Sequence, residues 1–224
     1  PLELSSAASD VYKRQDLDKI KYIKHKDFKA ASVKALYKIT KGHNGLEKAL
    51  DKLVTEVELK VDSGYNIIIL SDRNVNKKLA PIPMLLACSF VHHSMIERKK
   101  RSKFGIVIES AEPREPHHFS MLFGYGASAI NPYLVNEIIS YKHSTGVLQN
   151  LENSIKNYNN AIAKGILKVM NKIGISTLHS YRGSQIFEAL GLRSKFVKKY
   201  FNNTASRIEG CLLYTSDAAD ESSS

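Results

Sequence analysis

Acidic, basic and hydroxyl side chains recur in this sequence directly after short apolar runs. Asp72 and Arg73 follow the run at 65–70, and Glu109 follows the run at 104–108. A mixture of acids, bases and hydroxyls at such positions is typical of a functional site or of a surface that faces another domain. It does not indicate a single reaction.

The same arrangement continues after the apolar runs at 127–130 and 173–178. If all four runs are parallel strands, their carboxyl ends meet at one edge of a sheet, and the polar residues share that face. Helix capping and loop hydrogen bonding also explain such residues, and both interpretations stay open. The candidate site residues are Asp72, Arg73, Glu109, Arg114, His117, Asn131, Tyr133, Ser180, Tyr181 and Arg182.

The stretch at 124–129, GYGASA, fits the dinucleotide-binding pattern G-x-G-x-x-A. That pattern binds a pyrophosphate when it follows a strand and opens a helix. Here a helix-like segment precedes the glycines, and a short strand-like segment follows them and ends before Pro132. The sequence therefore predicts a glycine turn at a helix C-terminus rather than a cofactor loop.

Two histidine pairs and one cysteine are candidate metal or catalytic groups. His92 and His93 lie inside a predicted helix, and His117 and His118 lie near the start of another. Adjacent side chains diverge on a helix, so neither pair can chelate one ion alone. His93 and Glu97 share a helix face, which is a weaker signal than H-E-x-x-H. We expect packed or capping histidines, no metal or catalytic residue, and a Cys88 that is a small core residue.

The elements that position these residues alternate between strand and helix. Helices are predicted from residue 46 to about 63 and at 81–100, 116–123, 132–141, 151–172, 182–190 and 196–201, and strands at the four apolar runs. This order indicates βαβ units and a parallel sheet. Four strands are too few for a closed eight-stranded barrel, so the predicted fold is α/β, with an open sheet or a partial (β/α) barrel.

Composition excludes several classes of protein. The net charge is +11, but the lysines are spread along helices, so we expect no nucleic-acid partner. No apolar run is long enough to cross a membrane. Two distant cysteines without metal-type spacing are typical of a reducing compartment, and the predicted location is cytoplasmic.

Long blocks of the sequence resemble the large subunit of glutamate synthase. They are LSDRNV, APIPMLLACSFVHHSMI, ESAEPREPHHFSMLFGYGASAINPYL, KGILKVMNKIGISTLHSYRGSQIFEALGL and TASRIEG. The resemblance covers about residues 16–210 and implies the C-terminal part of the family's central domain at 16–200 and the start of the linker to its FMN domain at 201–210. Segments 1–15 and 211–224 lack the periodicity and the lysine-rich composition of the residues between them. They are expected to be non-native, adaptor-derived tails.

The resemblance also implies a function for the parent enzyme. That family converts glutamine and 2-oxoglutarate to two glutamates, and its central domain joins the glutaminase and FMN domains and helps form an ammonia tunnel. The parent would carry FMN and an iron–sulfur cluster, with a small subunit or ferredoxin as a further partner. This fragment is expected to bind no cofactor and to be inactive alone.

Two alternatives remain from other classes of function. A stand-alone basic α/β module would bind an anionic partner with a steep salt dependence. A free-standing flavin oxidoreductase would bind FMN.

Overall fold

The structure is a computed structural model that describes residues 14–23 and 25–210. The predicted tail at 211–224, which contains Cys211, and nearly all of the tail at 1–15 lie outside these residues. The chain forms two compact units, of which the first ends at Ser184 and the second begins at Gln185.

The first unit contains most of the secondary structure. Its elements are α1 (Arg14–Lys21), β1 (Ala30–Lys34), β2 (Leu36–Lys38), α2 (Gly42–Asp62), β3 (Ile67–Ser71), β4 (Leu79–Pro81), α3 (Met84–Glu97), β5 (Gly105–Ser110), α4 (Pro116–Gly124), β6 (Ala129–Pro132), α5 (Tyr133–Ser144), α6 (Leu151–Ile173) and α7 (Leu178–Tyr181). Single 3₁₀ turns lie at Ile39–Lys41 and Arg101–Lys103. Among the described residues, no helix combines the length and apolar character needed to cross a membrane.

The second unit is small. Its elements are β7 (Glu188–Leu190), α8 (Ser194–Tyr200) and β8 (Ala205–Ile208). Strands β7 and β8 pair in parallel.

The main sheet has the strand order β1-β3-β5-β6, and its neighbouring strands are all parallel. Each crossover moves to the next strand in the same direction, so right-handed connections place α2, α3 and α4 on one face. A doubly wound sheet would reverse direction, whereas a barrel would not. The predicted α/β fold with an open sheet or partial barrel is confirmed.

The opposite face of the sheet is covered by α1. Leu17, which is 2% exposed, packs in one cluster with Ile69, Val107 and Ala129. These three sheet residues lie side by side in register on adjacent strands. Burial on both faces explains why β3 and β5 are runs of β-branched and other aliphatic residues.

The glycine turn has the predicted order of elements. Helix α4 begins at Pro116, where proline is favoured, and ends at Gly124; β6 begins at Ala129. Between them Gly126 has φ +105°, and a Cβ there would lie 2.2 Å from Nδ1 of His92. Both the backbone conformation and the close approach require glycine at this position.

The strand predicted at 173–178 is wrong. Helix α6 continues to Ile173 and ends at Gly174, whose φ of +78° is the left-handed conformation of a helix C-cap. Residues 175–177 pair with no strand, and α7 begins after Thr177, whose side chain accepts a bond from the Ser180 amide. The apolar run is therefore a helix end followed by an N-cap.

The helix predicted at 182–190 is also wrong. Gly183 and Gln185 have positive φ values of +70° and +56°, which no α-helix accommodates. Within the second unit, Glu188–Leu190 is a strand that pairs with Ala205–Ile208. The fourth strand of the main sheet is instead β1, which sequence analysis missed, together with α1, β2 and β4.

The other predicted helices are confirmed, with shifted ends. The segment predicted at 81–100 begins at Met84, because Pro81 belongs to β4 and Pro83 is the N-cap. The segment predicted at 196–201 forms α8.

Candidate functional site

A row of three polar residues crosses the carboxyl end of the main sheet. Ser71 of β3 pairs in register with Glu109 of β5, and Glu109 pairs with Asn131 of β6. Paired residues of parallel strands point to the same side, here the side covered by α1. Glu109 is 2% exposed and Asn131 is fully buried. The sheet therefore carries a buried carboxylate at the carboxyl ends of its strands.

Two cations and a hydroxyl hold the Glu109 carboxylate. Lys21 donates from Nζ to Oε1 and Oε2 at 2.9 and 3.0 Å, and Arg73 donates from Nε to Oε1 at 2.7 Å. Ser71 donates from Oγ to Oε2 at 2.7 Å. Lys21 lies one helical turn after Leu17, so the helix that packs on the sheet also delivers its lysine to this carboxylate.

The pKa values follow from these contacts. Burial alone would raise the pKa of Glu109, but the bonds from Lys21, Ser71 and Arg73 outweigh it and hold that pKa below its ordinary value. Burial would likewise lower the pKa of Arg73, but its bonds to Glu109 and Glu137 raise it. The pair is therefore ionised at neutral pH.

Arg73 connects the buried row to the surface of α5. Its guanidinium lies 4.0 Å from the ring centroid of Tyr133 and donates from Nη1 to Oε1 of Glu137 at 3.3 Å. The Arg73 side chain is 29% exposed and that of Glu137 is 50% exposed. A planar guanidinium stacked on an aromatic ring and paired with carboxylates is fixed in orientation.

Asp72 forms a second, adjacent set of bonds. Its Oδ2 accepts from Ser110 Oγ at 2.5 Å and from the Ala111 amide at 3.0 Å. Burial, followed by a hydrogen bond with Asp72, raises the pKa of Tyr133. Asp72 is 1% exposed, so the loops after β3 and β5 and the start of α5 are joined through one buried carboxylate.

Together these contacts link α1, β3, β5 and α5 at one edge of the sheet, where Asn131 of β6 lies next to Glu109 in register. Both carboxylates are held by several donors each, and both cations of the Glu109 set are paired. These bonds hold the side chains in one arrangement. Arg73, Tyr133 and Glu137 form the partly exposed surface of this edge. We call the whole set the carboxyl-edge network; its members are Lys21, Ser71, Asp72, Arg73, Glu109, Ser110, Asn131, Tyr133 and Glu137.

Five of the sequence candidates lie in this network: Asp72, Arg73, Glu109, Asn131 and Tyr133. Lys21 and Glu137 were missed, because neither follows a strand. Ser71 and Ser110 were noticed at strand ends but not selected. The signal that identifies Lys21 is its spacing of four from Leu17, which is informative only once α1 is known to cover the sheet.

Arg114 and His117 lie beside the network, where α4 begins. The side chains of both are exposed. The Arg114 carbonyl accepts from the Tyr158 hydroxyl at 3.1 Å, and its amide donates to His118 Nδ1 at 3.2 Å. The backbone of Arg114 thus joins the start of α4 to α6.

The candidates at 180–182 do not join the network, because the strand predicted before them is absent. Arg182 donates from Nη2 to the Ser128 carbonyl at 3.5 Å, just before β6 begins, at the amino end of the sheet. Tyr181 is buried, and burial raises its pKa to about 12. Ser180 bonds to Thr177 at the start of α7.

The histidines at 92 and 93 are packed, as predicted. His92 Nδ1 accepts from Arg101 Nε at 2.9 Å, and His93 Nδ1 lies 2.9 Å from the Ser89 carbonyl. Cys88 is buried and free, which confirms its prediction as a core residue, and burial raises the pKa of its thiol to about 12. Across residues 14–23 and 25–210 no cluster of three His, Cys, Asp or Glu could hold a metal ion.

Comparison with known proteins identifies related sequences. The family model described as the glutamate synthase central domain matches residues 4–193. Glutamate synthase [NADH] of Schizosaccharomyces pombe is 43% identical over 82% of this chain and 9% of its own length. The NADPH glutamate synthase large chain of Bacillus subtilis is 41% identical over 88% of this chain and 13% of its own length. Ferredoxin-dependent glutamate synthase 2 of Synechocystis sp. is 37% identical, over 89% and 14%.

Solved structures show a likeness in fold. A mutant flavocytochrome b2 with benzoylformate aligns with a TM-score of 0.50 at 11% identity, over 90% of this chain and 45% of that one. The likeness agrees with a partial barrel. The chain spans only 9–14% of the length of the three glutamate synthases. Because the family model matches most of the chain and these relatives are 37–43% identical over at least 82% of it, the chain belongs to the glutamate synthase central domain family.

Proposed function

We propose that this chain is the central-domain portion of a glutamate synthase large subunit. The parent enzyme converts glutamine and 2-oxoglutarate to two glutamates. The observation that carries the proposal is the family match over residues 4–193, together with relatives that are all glutamate synthases and many times longer than this chain. In this role the chain joins the glutaminase and FMN domains of the parent and helps form the wall of the ammonia tunnel.

The carboxyl-edge network is proposed to organise the surface that meets those neighbouring domains. Its buried half joins the ends of β3 and β5, and its exposed half presents Arg73, Tyr133 and Glu137 in a defined orientation. In α/β folds the carboxyl ends of the strands are where function is built. A rigid face at that edge supports a role in holding two catalytic domains in register.

Arg114, His117, Ser180, Tyr181 and Arg182 are proposed as further positions that contact or support neighbouring domains. The first two are exposed beside the network, and the last three lie at or near the opposite, amino end of the sheet. The proposal therefore gives the domain two separate contact regions.

The remaining properties belong to the parent enzyme. We propose that it carries FMN and an iron–sulfur cluster outside this segment. Its electron donor is NADH, NADPH or ferredoxin, the three named for the relatives, and a small subunit or ferredoxin is its further partner. It acts in the cytoplasm, in ammonia assimilation and glutamate biosynthesis.

The proposed boundaries are 16–200 for the central-domain part and 201–210 for the start of the linker. Segments 1–15 and 211–224 are proposed to be adaptor-derived tails, although the family match begins at residue 4, inside the first of them. Translating sequencing adaptors in all frames tests the tails. The DNA that flanks the coding region tests the domain order, and it should encode a glutaminase domain upstream and an FMN barrel downstream.

The functional role is tested in the full-length parent enzyme with Asp72→Asn. This change keeps the shape of the side chain but removes the charge that accepts from Ser110 and Ala111. We expect less glutamate formed per glutamine hydrolysed, or a lower stability of the enzyme. Arg182→Ala tests the second contact region in the same way, and Lys77→Gln, at an exposed lysine, is the control. Wild-type coupling and stability in both variants would contradict the proposed role.

A further inference from the structure

Helix α5 lies on the first unit without burying a side chain. None of the residues at 133–144, all of which belong to the described part of the chain, is buried. Other long helices of this unit differ, since α3, α4 and α6 each bury at least four residues. A helix that follows a strand of a parallel sheet normally buries an apolar stripe. Helix α5 contacts α6 and β5, yet its apolar side chains stay accessible.

The accessible side chains of α5 continue the exposed end of the carboxyl-edge network. Tyr133, Glu137 and Tyr141 follow one another at a spacing of four, and Ile138 lies three residues before Tyr141, so all four project from one side of the helix. Ile138 is 45% exposed and Tyr141 is 66% exposed. The guanidinium of Arg73 lies on the Tyr133 ring at the start of this row. We call Arg73, Tyr133, Glu137, Ile138 and Tyr141 the α5 face.

The residue types of the α5 face are those of a protein interface. Tyrosine and arginine are enriched among the residues that dominate binding energy. Arg73 is already oriented by Glu109, Glu137 and Tyr133, so it loses little conformational freedom when a partner binds. A single exposed apolar side chain is ordinary, whereas neighbouring ones beside a fixed guanidinium–aromatic stack are typical of an interaction surface.

The charges of this region indicate the chemistry of the partner. Lys21 and Arg73, the cations of the carboxyl-edge network, both pair with Glu109, and Arg73 also pairs with Glu137. A polyanion such as nucleic acid binds through cations that it can neutralise. These two cations already have carboxylate partners, so the surface that fits the α5 face is an apolar protein surface.

The size of the α5 face indicates where that surface comes from. A helix of 12 residues is about 18 Å long, and a strip about 10 Å wide along it has an area of roughly 200 Å². A stable complex of separate chains buries about 800 Å² on each partner. Domains of one chain need less, because their linker keeps the effective concentration in the millimolar range. The chain spans only 9–14% of the length of its relatives, so most of the parent chain lies outside it.

We propose that another domain of the parent chain docks on the α5 face through an apolar patch that covers Ile138 and Tyr141. The inference rests on the proposed function and names the residues that carry the contact. Ile138 and Tyr141 supply the apolar area that becomes buried. Arg73 and Tyr133 supply a rigid border, which connects the docked surface to the buried part of the carboxyl-edge network.

The test is hydrogen–deuterium exchange of residues 133–144, measured by mass spectrometry in the full-length parent enzyme and in the 224-residue chain. We expect the α5 amides to exchange at least about tenfold more slowly in the parent, because docking suppresses local opening of the helix. The double variant Ile138→Gln with Tyr141→Gln should remove this difference. The double variant Leu59→Gln with Ile96→Gln is the matched control, at helix positions that are 62% and 49% exposed, and should retain it.

Three results would overturn the proposal. They are equal exchange of α5 in the parent and in the 224-residue chain, slow exchange that the α5 double variant retains, and an equal loss of protection in the control double variant. Sedimentation of the 224-residue chain tests a different occupant: a dimer that the α5 double variant dissociates would assign the face to a second copy and also overturn the proposal. Wild-type circular dichroism of both double variants of the 224-residue chain excludes unfolding as the cause.

Failure of this inference is distinguishable from failure of the proposed function. The proposed function fails if the flanking DNA encodes neither a glutaminase domain nor an FMN barrel. Exchange at α5 does not affect that result, so a parent with the expected domain order and an unprotected α5 would contradict the docking surface alone.

Discussion

Glu109 is a buried acidic residue at the end of β5, with an exposed fraction of only 2%. The residues around it keep its carboxylate ionised. The carboxylate has donors on three sides, from Lys21, Ser71 and Arg73. Removing one member of a buried set is costly because the other members keep their charges without a counter-charge. Removing the charge of Glu109 should therefore destabilise the fold more than removing the charge of Glu137, at the surface end of the same network.

Glu109→Gln is expected to lower the free energy of unfolding by about 2–4 kcal/mol, because Lys21 and Arg73 lose their shared counter-charge. Glu137→Gln is the matched control. It removes the other carboxylate partner of Arg73 at a half-exposed position and should cost at most about 1 kcal/mol. Urea denaturation at neutral pH measures both. Equal losses in the two variants would show that burial of Glu109 does not determine the strength of the set.

Gly126 is the position in GYGASA where the backbone itself is constrained. Gly126→Ala places a methyl group 2.2 Å from His92 Nδ1 at a φ of +105° and should destabilise the fold by about 2 kcal/mol or more. Gly146→Ala is the control, since its φ is +77° and nothing lies within 4 Å of the added Cβ. That variant should cost about 1 kcal/mol, from backbone strain alone. Thermal unfolding compares them, and similar losses would show that the contact with His92 is not restrictive.

Residue type and position after a strand were sufficient to predict five of the nine residues of the carboxyl-edge network. Asp72, Glu109 and Asn131 come together because parallel strands end at one edge, which is a property of the fold class. Lys21 and Glu137 belong to helices, and their contacts depend on where those helices pack. That information is tertiary and is not contained in the local pattern.

At the scale of elements, one apolar run was wrongly interpreted as a strand, and one strand of the main sheet was not recognised. The run at 173–178 has strand-like composition, but Gly174 takes the left-handed conformation that ends α6. Strand β1, Ala30–Lys34, alternates buried and exposed positions, yet its alanines and serine give a weak signal. The number of strands in the main sheet was predicted correctly, whereas the identity of the fourth was not, because short segments are decided by pairing partners.

The contact between α4 and α6 explains why a long helix after the sheet stays attached to it. A Cβ at Gly165 would lie 2.4 Å from Cγ of Pro116, so the two helices approach more closely than a larger side chain permits. Tyr158 on the same helix donates to the carbonyl of Arg114, two residues before Pro116. Helix α6 thus contacts the start of α4 and the end of the loop that follows β5.

For the whole molecule, the singly wound order β1-β3-β5-β6 accounts for where the two polar regions lie. All strands run the same way, so the carboxyl-edge network lies at one end of the sheet, and His92 with its partner Arg101 lies at the other, where Arg101 bonds the Phe104 carbonyl before β5. Each end contains a titrating group whose pKa differs from its ordinary value. The stability of the chain should therefore depend on pH in a way that separates the two ends.

Acid should destabilise the chain in two steps. The pKa of His92 is about 3 in the folded chain against an ordinary 6.5, so below pH 6.5 the unfolded chain binds a proton that the folded chain excludes. Stability then falls as pH drops, by up to about 1.4 kcal/mol per pH unit. Glu109, whose pKa is lowered in the folded state, contributes stability above its ordinary 4.5 and loses it as pH falls further.

His92→Asn separates these steps, because asparagine offers an oxygen to Arg101 and does not titrate. Between about pH 6.5 and pH 5, above the range of Glu109, the variant should lose most of the slope that His92 contributes. His143→Asn, at an exposed position, should leave the slope unchanged. Urea denaturation at a fixed salt concentration gives both slopes. If His92→Asn keeps the wild-type slope, protonation of this histidine does not control the acid stability.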